Sequence, residues 1–195
     1  MKSKSLQSSA LLIIDMQRYF LESKAPAFLD PPDELIPNVI KLVGAFREAK
    51  RPIIFTRHAH KKGGSTGQMG NWWGDELPYE GDKFSELVKG LPVEEADIIL
   101  TKTKYSAFEE TELDIALKRE GIDTVVICGV MTNLCVETTA RHAFMKDFNV
   151  IIIDDACATK SEDYHRASIL NLSYGFAHIE KTKEIIEKLQ AVTKG

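Results

Sequence analysis

Residues 121–144 read GIDTVVICGVMTNLCVETTARHAF. Thr124 to Cys128 is a short, β-branched apolar run, which reads as a buried strand. Gly129 permits a tight turn after it, Thr132 or Asn133 can cap a helix, and that helix continues through Ala143. A strand passing directly into a helix is half of a βαβ unit, and such units build parallel sheets with right-handed crossovers.

Working outward, comparable runs occur at Ala10 to Ile14, Ile53 to Thr56, Ile98 to Thr101, Val150 to Asp154 and, more weakly, Phe176 to Ile179. Between them lie stretches with helical spacing, such as Leu35, Val39, Leu42, Val43 and Phe46, or Leu113, Ala116 and Leu117 ending before Gly121. The alternation predicts a doubly wound α/β sandwich, a parallel sheet with helices on both faces. The segment from His58 to Glu95 has little periodicity. A loop that long in a compact domain is usually functional, so it is expected to cover the site.

At 195 residues the chain fits one domain, 1–195. Hydrophobic residues at 44% and charged residues at 28% are ordinary globular values, and no apolar run is long enough for a bilayer span. The start, MKSKSLQSSA, lacks the features of a signal peptide, so a cytoplasmic protein with a frayed N-terminus is expected. A net charge of -4, without clustered Lys and Arg, argues against nucleic acid and for a small-molecule partner. Three cysteines with no C-x-x-C spacing make a disulfide framework or zinc knuckle improbable.

Ligands of such sheets bind beyond the carboxyl ends of the strands, which selects few positions for chemistry. Asp15 ends the first run, in LLIIDMQ, where burial suits a carboxylate to proton transfer; otherwise it is a capping residue. Cys135 falls in the first helical turn after the fourth strand. There the helix dipole favours a thiolate and the backbone N–H groups can stabilise an oxyanion. Cys128, within a strand, and Cys157, in the loop segment after the fifth, read as structural. Lys102 and Lys104 both lie just past the third strand, in KTKYSAF, and spacing alone does not choose between them. His58 and His60, in TRHAH after the second strand, are candidates for substrate binding, proton transfer or a metal, although two ligands are too few for a convincing zinc site. Trp72 and Trp73 form a pocket wall or anchor the long loop. A nucleotide-binding or thiol-redox module is the competing class. It is disfavoured because no glycine cluster follows the first strand and no resolving cysteine lies near Cys135.

LLIIDMQ, KTKYSAF, GIDTVVICGVMTNLCVETTARHAF and VIIIDDACAT, in that order across nearly the whole chain, resemble the isochorismatase-like cysteine hydrolase superfamily. The resemblance implies a Rossmann-like sheet of six parallel strands and an Asp-Lys-Cys triad at Asp15, Lys102 and Cys135, which chooses between the lysines. It also implies a cis peptide between Val130 and Met131 and an oxyanion hole made by the Met131 and Cys135 amides, and His58, Trp73, Tyr105, Phe108 and Thr132 are the residues expected to bind substrate. Nicotinamidases carry a metal-binding Asp-x-His after strand two, and here the segment is Thr56-Arg57-His58. No metal or cofactor is therefore expected. Isochorismatases act on a vinyl ether and some lack the cysteine, so amide or ureido hydrolysis through a thioester fits better. The combination with GQMGNWWG looks most like the N-carbamoylsarcosine amidase type. The superfamily also implies a homo-oligomer, with Phe108 and the loop around Trp72 expected to approach another subunit.

Overall fold

The sheet has the strand order β3-β2-β1-β4-β5-β6, and every neighbouring pair is parallel. The strands are β1 (Ser9–Ile14), β2 (Ile53–His58), β3 (Ile98–Lys102), β4 (Thr124–Val130), β5 (Asn149–Ala158) and β6 (His178–Glu180). The helices are α1 (Arg18–Leu21), α2 (Leu35–Glu48), α3 (Gly67–Trp73), α4 (Leu113–Arg119), α5 (Glu137–Met145), α6 (Glu162–Gly175) and α7 (Thr182–Lys194). This computed structural model describes residues 6–194. Residues 1–5 of the expected frayed N-terminus lie outside it, whereas Leu6 is buried and Ser9 already belongs to β1. No described helix is long and apolar enough to cross a membrane.

Each element follows from its residues. Every residue of β1, SALLII, is buried, as a central strand covered on both faces must be. The predicted stripe of α2 is buried from Leu35 to Phe46, and such side chains contribute about 1.5–3 kcal/mol each on burial. Two boundaries differ from the sequence reading. β4 runs to Val130 and β5 to Ala158, so Cys157 lies on a strand rather than in the loop after it. The segment between β2 and β3, expected to be irregular, contains α3 and short 3-10 turns.

Strand order reverses between β1 and β4, which pair through six residues from Ser9↔Thr124 to Ile14↔Gly129. At the end of that ladder a Cβ on Gly129 would lie 2.1 Å from the carbonyl oxygen and 2.7 Å from the nitrogen of Ile14. The residue also has φ +113°, a region L side chains rarely adopt. Gly129 thus lets β4 pass against β1 where both strands deliver their chains to the site. Gly129→Ala is expected to cost about 3 kcal/mol or more, combining strain with a backbone clash. A urea titration in which the variant matched the parent would disprove this reading of the crossing.

Candidate active site

Three strand ends meet at one buried point. Asp15 follows β1 with φ 48°, and its amide donates to Thr56 Oγ1 at 3.0 Å. The Thr56 hydroxyl in turn donates to Asp15 Oδ1 at 2.6 Å. Lys102, the last residue of β3, places Nζ 2.7 Å from Asp15 Oδ2, with both side chains inaccessible to solvent. The same ammonium donates to the Lys104 carbonyl at 2.9 Å and to Cys135 Sγ at 3.4 Å. Apart from the ion pair, Asp15 Oδ2 has no hydrogen-bond partner, which leaves it open to the thiol proton. Asp15, His58 and Cys135 bring their side-chain donor atoms within 4.8 Å of one another. Lys104 lies further out, beside Glu110.

Cys135 sits in a π-helical turn, Thr132–Val136, that leads into α5. The peptide bond between Val130 and Met131, just before this turn, is cis. Neither Thr132 nor Asn133 caps the helix through its side chain. The sequence suggested a thiolate stabilised by the helix start, but burial pushes the Cys135 thiol up, Lys102 draws it back only in part, and Asp15 raises it again. The net direction favours the protonated thiol over the thiolate. Burial also disfavours the Lys102 ammonium, yet Asp15 and Cys135 together hold it above its ordinary value. Cys128 and Cys157 are buried, and burial raises both thiols, in keeping with structural roles.

His58 is buried and held well below the usual histidine range, first by burial and then by Lys102 and His60. Its Nε2 lies 3.2 Å from that of His60, so in the neutral pair one ring donates and the other accepts. Gln17, not singled out from the sequence, fixes this strand end: its Oε1 accepts from the His58 amide and its Nε2 donates to the carbonyls of His58 and Ser85. Thr56, two residues before His58, has its hydroxyl committed to Asp15 as both donor and acceptor.

A chamber of about 60 Å³ adjoins Cys135 and His58, walled by Tyr19, Phe20, Ala27, Met69, Trp73, Leu77, Pro78, Tyr105, Met131 and Leu134. It adjoins a vestibule of about 1160 Å³, with Trp73, Tyr105, Met131 and Leu134 lining both. Trp73 Nε1 donates to the Tyr105 hydroxyl at 2.8 Å, bridging α3 to the segment after Lys102. Two expected pocket residues lie elsewhere. Phe108 is buried, its ring against His142 and Phe148, and it does not line the chamber. Thr132 is buried with its hydroxyl on His165. Thr56 was also missed, although it lies in the quoted TRHAH. The β1–β2 register, Ile13↔Phe55, sets it beside the end of β1, but register is not visible in the sequence.

Lys102→Met keeps the stem but leaves the Asp15 carboxylate buried without its cation. The expected loss is about 3–5 kcal/mol of unfolding free energy, with a smaller loss in the Asp15→Asn/Lys102→Met double variant. A double variant no more stable than Lys102→Met, compared by urea denaturation, would show that the ion pair does not set this cost.

The profile of the Isochorismatase domain matches residues 9–184. Nicotinamidase 3 of Arabidopsis thaliana is 39% identical over 173 residues, 88% of this chain and 83% of that one. Ureidoacrylate amidohydrolase RutB of Acinetobacter baylyi is 27% identical over 210 residues, 94% of this chain and 84% of that protein. The crystal structure of a cysteine hydrolase from Pseudomonas syringae pv. phaseolicola superposes with a TM-score of 0.93 at 27% identity, over 98% of this chain and 97% of the other. The matched span runs from β1 into α7 and takes in Asp15, Lys102 and Cys135, so the chain belongs to the isochorismatase family.

Proposed function

We propose that this protein, a family hydrolase of C–N bonds, is a cysteine amidohydrolase that cleaves small carboxamides through a thioester on Cys135. The observation that carries the reading is the contact set of Asp15, Lys102 and Cys135 at the floor of an apolar chamber. Asp15 accepts the thiol proton as Sγ attacks the carboxamide carbon, and the Met131 and Cys135 amides face the developing oxyanion. The tetrahedral intermediate collapses with breakage of the C–N bond, and Asp15 returns the proton to the departing ammonia. Water then enters, gives a proton to Asp15 and attacks the thioester, releasing the carboxylic acid and restoring the thiol. Lys102 remains an ammonium throughout and offsets the charge that moves between Asp15, the sulfur and the oxyanion.

The chamber favours a flat, uncharged body. Phe20, Trp73, Tyr105 and Leu134 line it, and the chamber lining contains no Lys or Arg among the described residues. Nicotinamide is flat and uncharged, in line with the nicotinamidase relative, and being larger than the 60 Å³ chamber it would extend into the vestibule. N-carbamoylsarcosine, the substrate type suggested by the sequence, carries a carboxylate. Lys104 and Lys160 in the vestibule are the cations that favour this second reading.

Ammonia release from nicotinamide, N-carbamoylsarcosine, other ureido acids and biuret, with a chelator control, tests the proposal. Cleavage of nicotinamide is expected, with a loss of at least about 1000-fold in Cys135→Ala. Turnover by Cys135→Ala within about tenfold of the parent would rule out the covalent route. A preference for N-carbamoylsarcosine would keep the chemistry and assign the vestibule lysines to its carboxylate.

A further inference from the structure

The turn that carries Cys135 is also held by side chains that the proposed chemistry does not use. Thr132 Oγ1 lies 3.0 Å from His165 Nδ1, and His165 Nε2 lies 2.8 Å from Asp154 Oδ1. Asp154 Oδ2 is ion-paired with Lys181, which follows β6. Next to this chain, the Thr159 hydroxyl donates to Asn133 Oδ1.

The proton positions follow from the partners. A carboxylate only accepts, so His165 Nε2 carries hydrogen toward Asp154; in the neutral ring Nδ1 then accepts, and the Thr132 hydroxyl donates to it. The imidazole is itself fixed in place. His165 lies in the first turns of α6, where its amide donates to the Ser161 carbonyl and the Ser161 side chain caps the helix through the Tyr164 amide. Asp154 is on β5, so the tether ends on the sheet.

Thr132 is bonded to Met131 and lies three residues before Cys135, the two residues whose amides face the oxyanion in the proposed mechanism. A shift of Thr132 therefore moves the Met131 amide relative to Sγ, whereas the Cys135 amide belongs to the residue that carries the sulfur. The Asp15–Lys102 pair, which handles the thiol proton, makes no contact with this tether. The two arrangements act on different steps: one on thiol deprotonation, the other on stabilising the tetrahedral oxygen.

We infer that His165 and Asp154 are positioning residues that hold the oxyanion turn through the Thr132 hydroxyl. The inference rests on the proposed reading of that turn as the oxyanion site. Two reactions of Cys135 separate it from general damage. Alkylation by iodoacetamide displaces iodide and forms no tetrahedral oxyanion. Acylation by p-nitrophenyl acetate passes through one, releases p-nitrophenol and leaves an acetyl thioester. In Thr132→Val, a near-isosteric change that removes only the hydroxyl bond, and in His165→Ala, acylation is expected to fall about 10- to 100-fold while alkylation stays within about twofold of the parent. Thr132→Ser, which keeps the hydroxyl, should acylate within about threefold of the parent, and melting temperatures report whether each variant is folded.

Acylation within about threefold of the parent in both Thr132→Val and His165→Ala would overturn the inference. So would a parallel fall in alkylation and acylation in folded variants, because the effect would then lie on the thiol. Ester acylation does not depend on which carboxamide is the substrate. If the parent released no ammonia from any amide, the functional reading would fail and this comparison would still be decided.

Discussion

The active centre depends on one constraint: a carboxylate and an ammonium sit side by side with no access to water. Either charge alone would be strongly destabilising there, since an unpaired buried ion costs several kcal/mol even after relaxation. Asp15 and Lys102 are tolerable only together, at 2.7 Å, with Thr56 and the Lys104 carbonyl taking up further hydrogen bonds. The topology makes this hard to achieve, because β3 is at the sheet edge and β2 separates it from β1. Lys102 is in register with His58 at the end of β2, so its side chain must reach past that residue to Asp15. A flexible four-carbon stem ending in a compact charge suits that reach, and the planar fork of arginine does not.

The same burial governs the thiol. A cysteine made reactive by exposure and a low pKa would be open to oxidation and to any electrophile. Cys135 is instead buried, its thiol pushed up, with a carboxylate and an ammonium held close by. Reactivity then requires an electrophile that fits the apolar chamber, displaces water and strengthens each electrostatic contact inside it. On the proposed mechanism, the fold couples recognition of the substrate body to activation of the Cys135 thiol.

The sheet was readable because its strands are short apolar runs separated by helical spacing, with Asp15 just after β1, Lys102 at the end of β3 and Cys135 in the turn after β4. The choice between Lys102 and Lys104 was not, since residues two apart in an extended segment point the same way. β3 ends at Lys102 and the chain then turns, which sends Lys104 outward. Phe108 was misplaced for a related reason: in an irregular segment no periodicity tells whether a ring faces a chamber or the core. Thr132 failed because the turn is π-helical, so the 3.6-residue rule no longer assigns side-chain directions. Thr56 and Gln17 act through hydrogen bonds to neighbouring strand ends, which depend on register and leave no mark in a single sequence.

The π-turn itself explains why support from outside is needed. Leu134 and Val136 both donate to the Met131 carbonyl, so one acceptor serves two amides and the turn is wider than an ordinary helical start. Wide turns recur at functional sites because they present backbone and side chain at angles an α-helix does not offer, but they are not held by a regular ladder. Stiffness must come from tertiary contacts. β5 runs past the register irregularity between Ile127 and Gly129 as far as Ala158 and carries Asp154; Thr159 follows at its end. These residues hold the turn from one side, while Asp15 and Lys102 hold the sulfur from the other. The turn that carries Cys135 is thereby held between two charged pairs, Asp15–Lys102 and Asp154–Lys181, each anchored to the sheet at its switch point or beyond it.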